Sequence, residues 1–259
     1  MLGAQKPTTP VRVKICGITS VQDAQLAVEA GADFIGLIFA ERSPRKVSVE
    51  MAKIIAESIK TLNKANTGTN AVRLVGVFQN QSIAEIQTIA KQVRLDFIQL
   101  HGEESPDYAE LLPLPVIRFA PLALGKESSP WPWKAKTPID KSAALLLEPP
   151  KGSGMALTDW FSAYADRAAA LREFSKTTPL FLAGGLHTGN IATALQHIRP
   201  FAIDVASGVE SSPGVKNPAH VRDFCATIKA CPSDFSGDPT LCNRLDFSDL
   251  SAAFTSPNP

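Results

Sequence analysis

A cysteine and a lysine occupy alternate positions near the amino terminus, in the stretch VRVKICG. Side chains two residues apart in a strand point to the same face, so Lys14 and Cys16 share one face of a strand formed here. An ammonium group beside a thiol lowers the thiol pKa and favours the thiolate, the form of cysteine that acts as a base or a nucleophile. The alternative for Cys16 is a buried cysteine that serves only as a small apolar side chain.

Other groups that could bind or protonate a small molecule follow later apolar runs. Arg42 and Arg45 lie in ERSPRKVS, and either guanidinium could hold a planar carboxylate through its fork of donors. Gln99 and His101 alternate in QLHGEE and therefore share a face. Glu148 ends the run LLLE, shortly before a glycine-containing loop.

Two stretches, LAGGLHTGNI and DVASGVESSPG, place small residues and glycines between an apolar run and a predicted helix. Such loops expose backbone N–H groups at the positive end of a helix, where anions bind. Gly184, Gly185, Ser207 and Gly208 are the candidate phosphate-binding residues. The two loops together predict a phosphorylated small-molecule substrate.

Eight short apolar runs recur along the chain, and most precede a stretch with apolar residues at helical spacing. Ser20, Ser48 and Ser82 are placed as helix N-caps. Eight strand–helix units in about 200 residues predict a single α/β domain, a (β/α)8 TIM barrel, whose reactive groups lie where the strands end. A doubly wound open sheet is the alternative fold. The runs span residues 11–15, 33–39, 72–78, 96–100, 115–119, 143–148, 179–183 and 201–205.

The pattern predicts a barrel catalytic domain over residues 11–230, with an N-terminal extension over 1–10. Prolines between residues 121 and 138 exclude a regular helix in the fifth crossover, and we expect Trp131 and Trp133 to cover the barrel wall there. Residues 231–259 are rich in Ser, Asp and Pro, which predicts a C-terminal tail that is partly disordered or docked through a short helix.

The composition excludes several classes of function. The 259 residues include 26 Lys and Arg against 25 Asp and Glu, a formal net charge of +1, so we expect no nucleic-acid partner. No stretch is apolar enough for a signal peptide or a membrane span. The four cysteines and four histidines lack zinc-ligand spacing, so we expect no metal, no disulfide scaffold and a cytoplasmic location.

The series VKICGITS, GADFIGLIFAERSPRKVS, LVGVFQNQS, DFIQLHGEES, FLAGGLHTGNI and AIDVASGVESSPGVKN closely resembles the phosphoribosylanthranilate isomerase family of tryptophan biosynthesis. The resemblance runs from about Val11 to Ala230. It implies an Amadori rearrangement that needs no cofactor, with Cys16 as the base and a carboxylate at the end of the sixth strand as the acid.

The resemblance also implies roles for the residues around that pair. Arg45 is expected to hold the anthranilate carboxylate, Asp204 to complete the floor of the site, and the two glycine-containing loops to bind the phosphate. Lys14, Gln99 and His101 are expected to contribute to the substrate site.

The sequence departs from the family at the acid, because Glu148 stands where relatives carry aspartate. The extra methylene could move the carboxyl by about an ångström, a displacement that can cost about 100-fold in rate. The alternative function is a non-catalytic phosphate-binding barrel that has lost its acid and acts as a scaffold or fusion partner. A different phosphosugar enzyme is disfavoured by the arginines after the second strand. Fusion to, or association with, other tryptophan-pathway enzymes is the partner expectation.

Overall fold

Eight parallel strands close into a barrel in the order in which they follow one another along the chain. The computed structural model describes residues 11–65, 71–122, 143–149, 155, 157–198 and 200–231. The first strand pairs with the eighth, with Lys14 opposite Asp204, so the sheet has no edge and the open-sheet alternative is wrong. The strands are β1 (Arg12–Cys16), β2 (Phe34–Ile38), β3 (Arg73–Phe78), β4 (Phe97–Leu100), β5 (Val116–Pro121), β6 (Ala144–Glu148), β7 (Leu180–Leu182) and β8 (Ala202–Val205).

Helices alternate with these strands, and the predicted N-caps are confirmed. Ser20 Oγ accepts a hydrogen bond from the N–H of Asp23, Ser82 Oγ from that of Glu85, and Ser48 Oγ from that of Met51. The described helices are α1 (Val21–Ala30), α2 (Val49–Ala65), α3 (Ile83–Val93), α4 (Tyr108–Leu111), α5 (Leu157–Ala163), α6 (Ala165–Phe174), α7 (Ile191–His197) and α8 (Pro218–Ala230).

One connection differs from the expected strand-then-helix pattern. After β8 the chain makes a 3₁₀ turn at Ser207–Val209 and then a two-stranded hairpin, β9 (Glu210–Ser212) and β10 (Val215–Lys216), before it enters α8. The expectation that the loop after the eighth strand leads directly into a helix is therefore wrong. The hairpin returns the chain to the barrel mouth, where it adds charged side chains to the site.

Apolar side chains that point into the barrel form a core separate from the larger one between strands and helices. Phe34 is 1% exposed and lies edge-on to Phe97 and Phe181, with ring centroids 5.8 and 5.4 Å apart. The rings fill the barrel below the level of Cys16, because Phe34 pairs with Lys14 and Gly36 with Cys16 in the register of β1 and β2. The mouth above this plug is left to polar groups.

Several sequence predictions fall outside the described residues: the N-terminal extension 1–10, the fifth crossover with Trp131 and Trp133, and the tail beyond residue 231. Within the described ranges, no helix combines the length and the apolar character needed to cross a membrane.

Replacing Phe34 by alanine should lower the free energy of unfolding by about 3–5 kcal/mol, because it removes the ring that packs against both Phe97 and Phe181 inside the barrel. Chemical denaturation measures the loss. Ile54→Ala on α2 is the control, since Ile54 is 57% exposed and its truncation should change stability by no more than about 0.5 kcal/mol. Equal losses in the two variants would contradict the described core.

Candidate active site

A cavity of about 430 Å³ opens at the carboxyl ends of the barrel strands. Residues from the ends of β1, β2, β3, β4, β6, β7 and β8 line it, together with the loops that follow. Every candidate site residue except Lys14 belongs to this lining. Those that line the cavity are Cys16, Arg45, Gln99, His101, Glu148, Gly184, Gly185, Asp204, Ser207 and Gly208, and Arg42 lines it as well.

Lys14 and Asp204 form a buried ion pair at the floor of the cavity. Lys14 Nζ lies 3.0 Å from both carboxylate oxygens of Asp204, and the Lys14 side chain has no exposed surface. Burial alone would lower the pKa of Lys14, but the charges of Asp204 and Cys16 and their hydrogen bonds outweigh it and raise the pKa. Lys14 is therefore held as a cation that contacts the cavity lining through Asp204 and Cys16.

The Cys16 thiol is buried beside this pair, and its pKa changes in the direction opposite to the prediction. Burial raises the pKa of Cys16 and outweighs the opposing effects of Lys14 and Lys216. A carboxylate neutralises most of the field of each lysine, which explains why the neighbouring ammonium groups do not dominate. The prediction of a lowered thiol pKa is therefore wrong.

A glycine on the neighbouring strand makes room for the thiol. A Cβ atom on Gly36 would lie 2.6 Å from Cys16 Sγ, which is closer than any ordinary contact. Gly17 has a similar role directly after β1, because its φ is +73° and a Cβ there would lie 2.6 Å from Arg45 Cδ. Gly17 thus lets the Arg45 side chain lie against the end of the strand that carries Cys16.

Arg45 is bound by a carboxylate of the protein, a partner that sequence reasoning missed. Its Nε donates to Glu210 Oε1 at 2.8 Å and its Nη2 donates to Glu210 Oε2 at 2.7 Å. Lys216 donates to the same Oε1 atom at 2.8 Å. Burial would raise the pKa of Glu210, but the hydrogen bonds from Arg45 and Lys216 prevail and lower it, so Glu210 is ionised.

The signal for Glu210 and Lys216 was present in the motif SGVESSPGVKN, but no periodicity pointed to them. Both residues follow β8 in the 3₁₀ turn and hairpin, where neither a two-residue nor a 3.6-residue repeat applies. Lys216 is 3% exposed although the hairpin is a surface element, because its side chain reaches inward to the carbonyl oxygen of Cys16 at the end of β1.

Gln99, His101 and Glu148 form a row across the ends of β4 and β6. Gln99 Nε2 lies 3.1 Å from His101 Nδ1, and His101 Nε2 lies 3.3 Å from Glu148 Oε1. The imidazole packs on Phe119, with centroids 4.5 Å apart. The Oε1 atom of Gln99 is buried without a hydrogen-bond partner among the described residues, so a ligand in the cavity could donate to it. Glu148 Oε1 is also buried, and His101 Nε2 approaches it without making a hydrogen bond.

The two glycine-containing loops meet at the opposite side of the cavity. The N–H groups of Gly184, Gly185, Ser207 and Gly208 make no hydrogen bond to the described part of the chain. A Cβ on Gly208 would lie 1.9 Å from the carbonyl oxygen of Leu186, so the backbones of the two loops touch. Asn190 fixes the first loop by accepting from His187 N–H and donating to the carbonyl of Gly185.

The cavity thus combines a thiol, a carboxylate, an arginine and a set of free backbone donors. No three His, Cys, Asp or Glu side chains in the described ranges are grouped so that they could hold a metal ion. A closed (β/α)8 barrel with a thiol, carboxyl groups and two glycine-containing loops at its strand ends has the architecture of a barrel enzyme.

The comparisons assign the chain to a family. The family model described as N-(5'phosphoribosyl)anthranilate (PRA) isomerase matches residues 13–227, and the chain belongs to this family. An N-(5'-phosphoribosyl)anthranilate isomerase from Geobacter metallireducens is 41% identical over 224 residues, which cover 85% of this chain and all of the relative.

Solved structures agree with that assignment. The crystal structure of phosphoribosyl anthranilate isomerase from Thermus thermophilus has a TM-score of 0.67 and 36% identity, and the match covers 84% of this chain and 98% of that one. A phosphoribosyl anthranilate isomerase in complex with reduced 1-(o-carboxyphenylamino)-1-deoxyribulose 5-phosphate has a TM-score of 0.63 and 30% identity, over 85% and 98% of the two chains.

Alkylation of Cys16 by iodoacetamide should accelerate only above the pH at which an ordinary cysteine reacts, because burial raises the pKa of its thiol. The measurement is the pH dependence of the alkylation rate at each cysteine, followed by peptide mass spectrometry with a cysteine-containing peptide as the reference. Cys225 is an internal comparison, since burial raises its pKa to about 11. A midpoint for Cys16 below that of the reference peptide would contradict the burial argument.

Proposed function

We propose that the cavity is the active site of an N-(5'-phosphoribosyl)anthranilate isomerase, which forms 1-(2-carboxyphenylamino)-1-deoxyribulose 5-phosphate in L-tryptophan biosynthesis. The observation that carries the proposal is that Cys16 and Glu148 line one cavity from well-separated strands of the barrel wall. A substrate lying between β1 and β6 would have a thiol on one side and a carboxyl on the other.

The rearrangement needs one acid and one base. Glu148 donates its proton to the ring oxygen of the ribose as the bond from that oxygen to the first sugar carbon breaks, which leaves a protonated Schiff base. Cys16, as the thiolate, then takes the proton from the second sugar carbon, and its electron pair forms the double bond of an enolamine. The enolamine becomes the ketone when its 2-hydroxyl loses a proton and the first carbon gains one.

The cationic Schiff base helps to explain how a buried thiol can act as this base. Burial raises the pKa of Cys16 and so favours the neutral thiol. A positive charge forming on the substrate next to the thiol favours the thiolate, as an opposite charge within about 4–6 Å does in general. The rate should accordingly rise with pH in the range where the thiol deprotonates.

The surroundings of Glu148 suit a glutamate as the acid. A Cβ on Gly184 would lie 3.2 Å from Glu148 Cβ and 2.5 Å from Pro149 Cδ, so the glycine lets the loop after β7 pack closely against the end of β6 that carries Glu148. His101 Nε2 is close enough to hold the carboxyl toward the cavity. This contact is available to the carboxyl of a glutamate at the end of β6.

The remaining candidates bind the substrate. Arg45 holds the anthranilate carboxylate, and the free N–H groups of the two glycine-containing loops hold the phosphate. Gln99 offers a buried, unpartnered oxygen to a sugar hydroxyl. Asp204 completes the floor of the site, and Lys14 supports it from below.

Proton transfers alone complete this chemistry, so the proposed reaction uses no cofactor. Cys16 and Cys225 are buried free thiols, which suits the predicted reducing, cytoplasmic setting. Fusion to, or association with, other enzymes of the tryptophan pathway stays a prediction.

Cys16→Ala and Glu148→Gln should each reduce turnover by about 100-fold or more, because each removes one proton-transfer group. The assay generates phosphoribosylanthranilate in situ and follows the loss of its anthranilate fluorescence. Glu148→Asp, which keeps the carboxyl, should retain substantial activity, and Cys231→Ser is the control that leaves the cavity untouched. Turnover within tenfold of wild type in Cys16→Ala would sink the assignment of the base.

Gly208→Ala should weaken inhibition by inorganic phosphate by about tenfold or more, because its Cβ would push the two loops apart and remove charge-assisted hydrogen bonds. The inhibition constant of phosphate against the substrate measures the effect. Gly189→Ala is the matched control, since a Cβ there would meet only the His187 side chain, at 3.1 Å. An unchanged inhibition constant in Gly208→Ala would show that the phosphate binds elsewhere.

A further inference from the structure

Arg45 enters the cavity with one edge of its guanidinium already engaged. Nε and Nη2 donate to the two oxygens of Glu210, and the Arg45 side chain retains 20% exposure where it lines the cavity. Nη1 makes no hydrogen bond to the described residues. A guanidinium offers two parallel pairs of donors, so a second carboxylate can bind the Nη1–Nη2 edge while Glu210 holds the other.

Glu210 is itself fixed more firmly than a surface carboxylate would be. Its side chain is 5% exposed, and its Oε1 atom accepts from Lys216 Nζ at 2.8 Å and from Gly214 N–H at 3.3 Å, in addition to Arg45 Nε. Both carboxylate oxygens are thus used within the protein. Glu210 has little freedom to turn away from Arg45 or to enter the cavity as a ligand.

Lys216 connects this pair to the other side chains of the site. Its side chain is fully buried, and besides Glu210 it donates to the carbonyl oxygen of Cys16 at 2.7 Å and to that of Ala206 at 3.2 Å. Burial lowers the pKa of Lys216, and the hydrogen bond and charge of Glu210 oppose that shift. With Lys216 protonated, the side chains of Lys216, Glu210 and Arg45 together carry one net positive charge. Because Glu210 and Lys216 are inaccessible, the charge that remains for a ligand is presented at Arg45.

We propose that Glu210, held by Lys216, is a positioning residue that aims the free edge of Arg45 at the carboxylate of the aromatic ring of the substrate. This inference rests on the proposed function, since it assigns the origin of substrate selectivity within the same site. Glu210 touches no substrate atom. Glu210 acts by fixing the direction of the Arg45 guanidinium. The positive charge of Lys216 offsets the negative charge of Glu210, so that the charge of Arg45 is not cancelled.

The test compares two substrates that differ only in the carboxylate. One is phosphoribosylanthranilate, and the other is the same aminal made with aniline in place of anthranilate, with both conversions followed by chromatography. Wild type should prefer the carboxylate substrate in kcat/KM by about tenfold or more, as expected for charge-assisted bidentate hydrogen bonds. The Arg45→Met variant measures how much of this preference in kcat/KM remains when the guanidinium is removed.

Glu210→Gln should lower this preference by about tenfold while changing kcat/KM for the aniline substrate much less. Added to Arg45→Met, it should change the preference no further, because residues that act through one another are not additive. Glu41→Gln is the matched control, the same change at a carboxylate that is 83% exposed on the loop that carries Arg45. Glu210→Asp, which withdraws the carboxylate by one methylene, replaces Glu210→Gln if that variant does not fold.

Equal losses on both substrates would show a purely structural role for Glu210 and overturn the proposal. Additive losses in the double variant, or a wild type that does not distinguish the two substrates, would overturn it as well. A wild type that converts neither substrate contradicts the proposed function itself. That outcome is distinct from a loss of selectivity with turnover of the aniline substrate intact.

Discussion

The buried ion pair between Lys14 and Asp204 is the constraint on which the arrangement of the site depends. It joins the first strand to the last across a separation of 190 residues, at the seam where the barrel closes. Removing one partner of a buried pair leaves an uncompensated charge, at a cost of about 3–5 kcal/mol. The pair therefore reinforces the backbone register of β1 and β8, which sets the level at which Cys16 enters the cavity.

The same pairing determines the chemistry of the thiol. An unpaired ammonium group next to Cys16 would have stabilised the thiolate, but Asp204 neutralises Lys14 and Glu210 neutralises Lys216. The effect of burial then dominates, and the pKa of the thiol is raised. Carboxylates fixed in the site hold its cations in position. Their negative charges also weaken the electrostatic field that those cations exert.

Much of the fold could be predicted because the residues that form it repeat at regular spacing. The eight apolar runs mark the eight strands to within one or two residues, and Ser20 and Ser82 cap the helices as their types suggest. The barrel geometry then places the ends of β1, β4, β6, β7 and β8 around one opening. That rule alone brought Cys16, His101 and Glu148 into the same candidate site.

The parts that could not be predicted depend on contacts between segments far apart in the sequence. Glu210 and Lys216 belong to an irregular turn and hairpin, so their direction is set by tertiary packing. Gly36 matters because a side chain there would clash with Cys16 Sγ. No pattern in the sequence around Gly36 reveals that clash. The direction of the thiol pKa depended on the balance of burial against paired charges, which residue types alone do not give.

The hydrogen bonds of Lys216 have a consequence for how binding energy is used. One amine holds the carbonyl of Cys16 and the carbonyl of Ala206, the residue directly before the Ser207–Gly208 loop. Any ligand that pulls this loop into a fixed position therefore also restrains the backbone that carries the thiol. In the proposed function the phosphate takes no part in bond making, but holding it at this loop would help to organise the base, so that binding energy from the remote end of the substrate would be used at its reacting carbon.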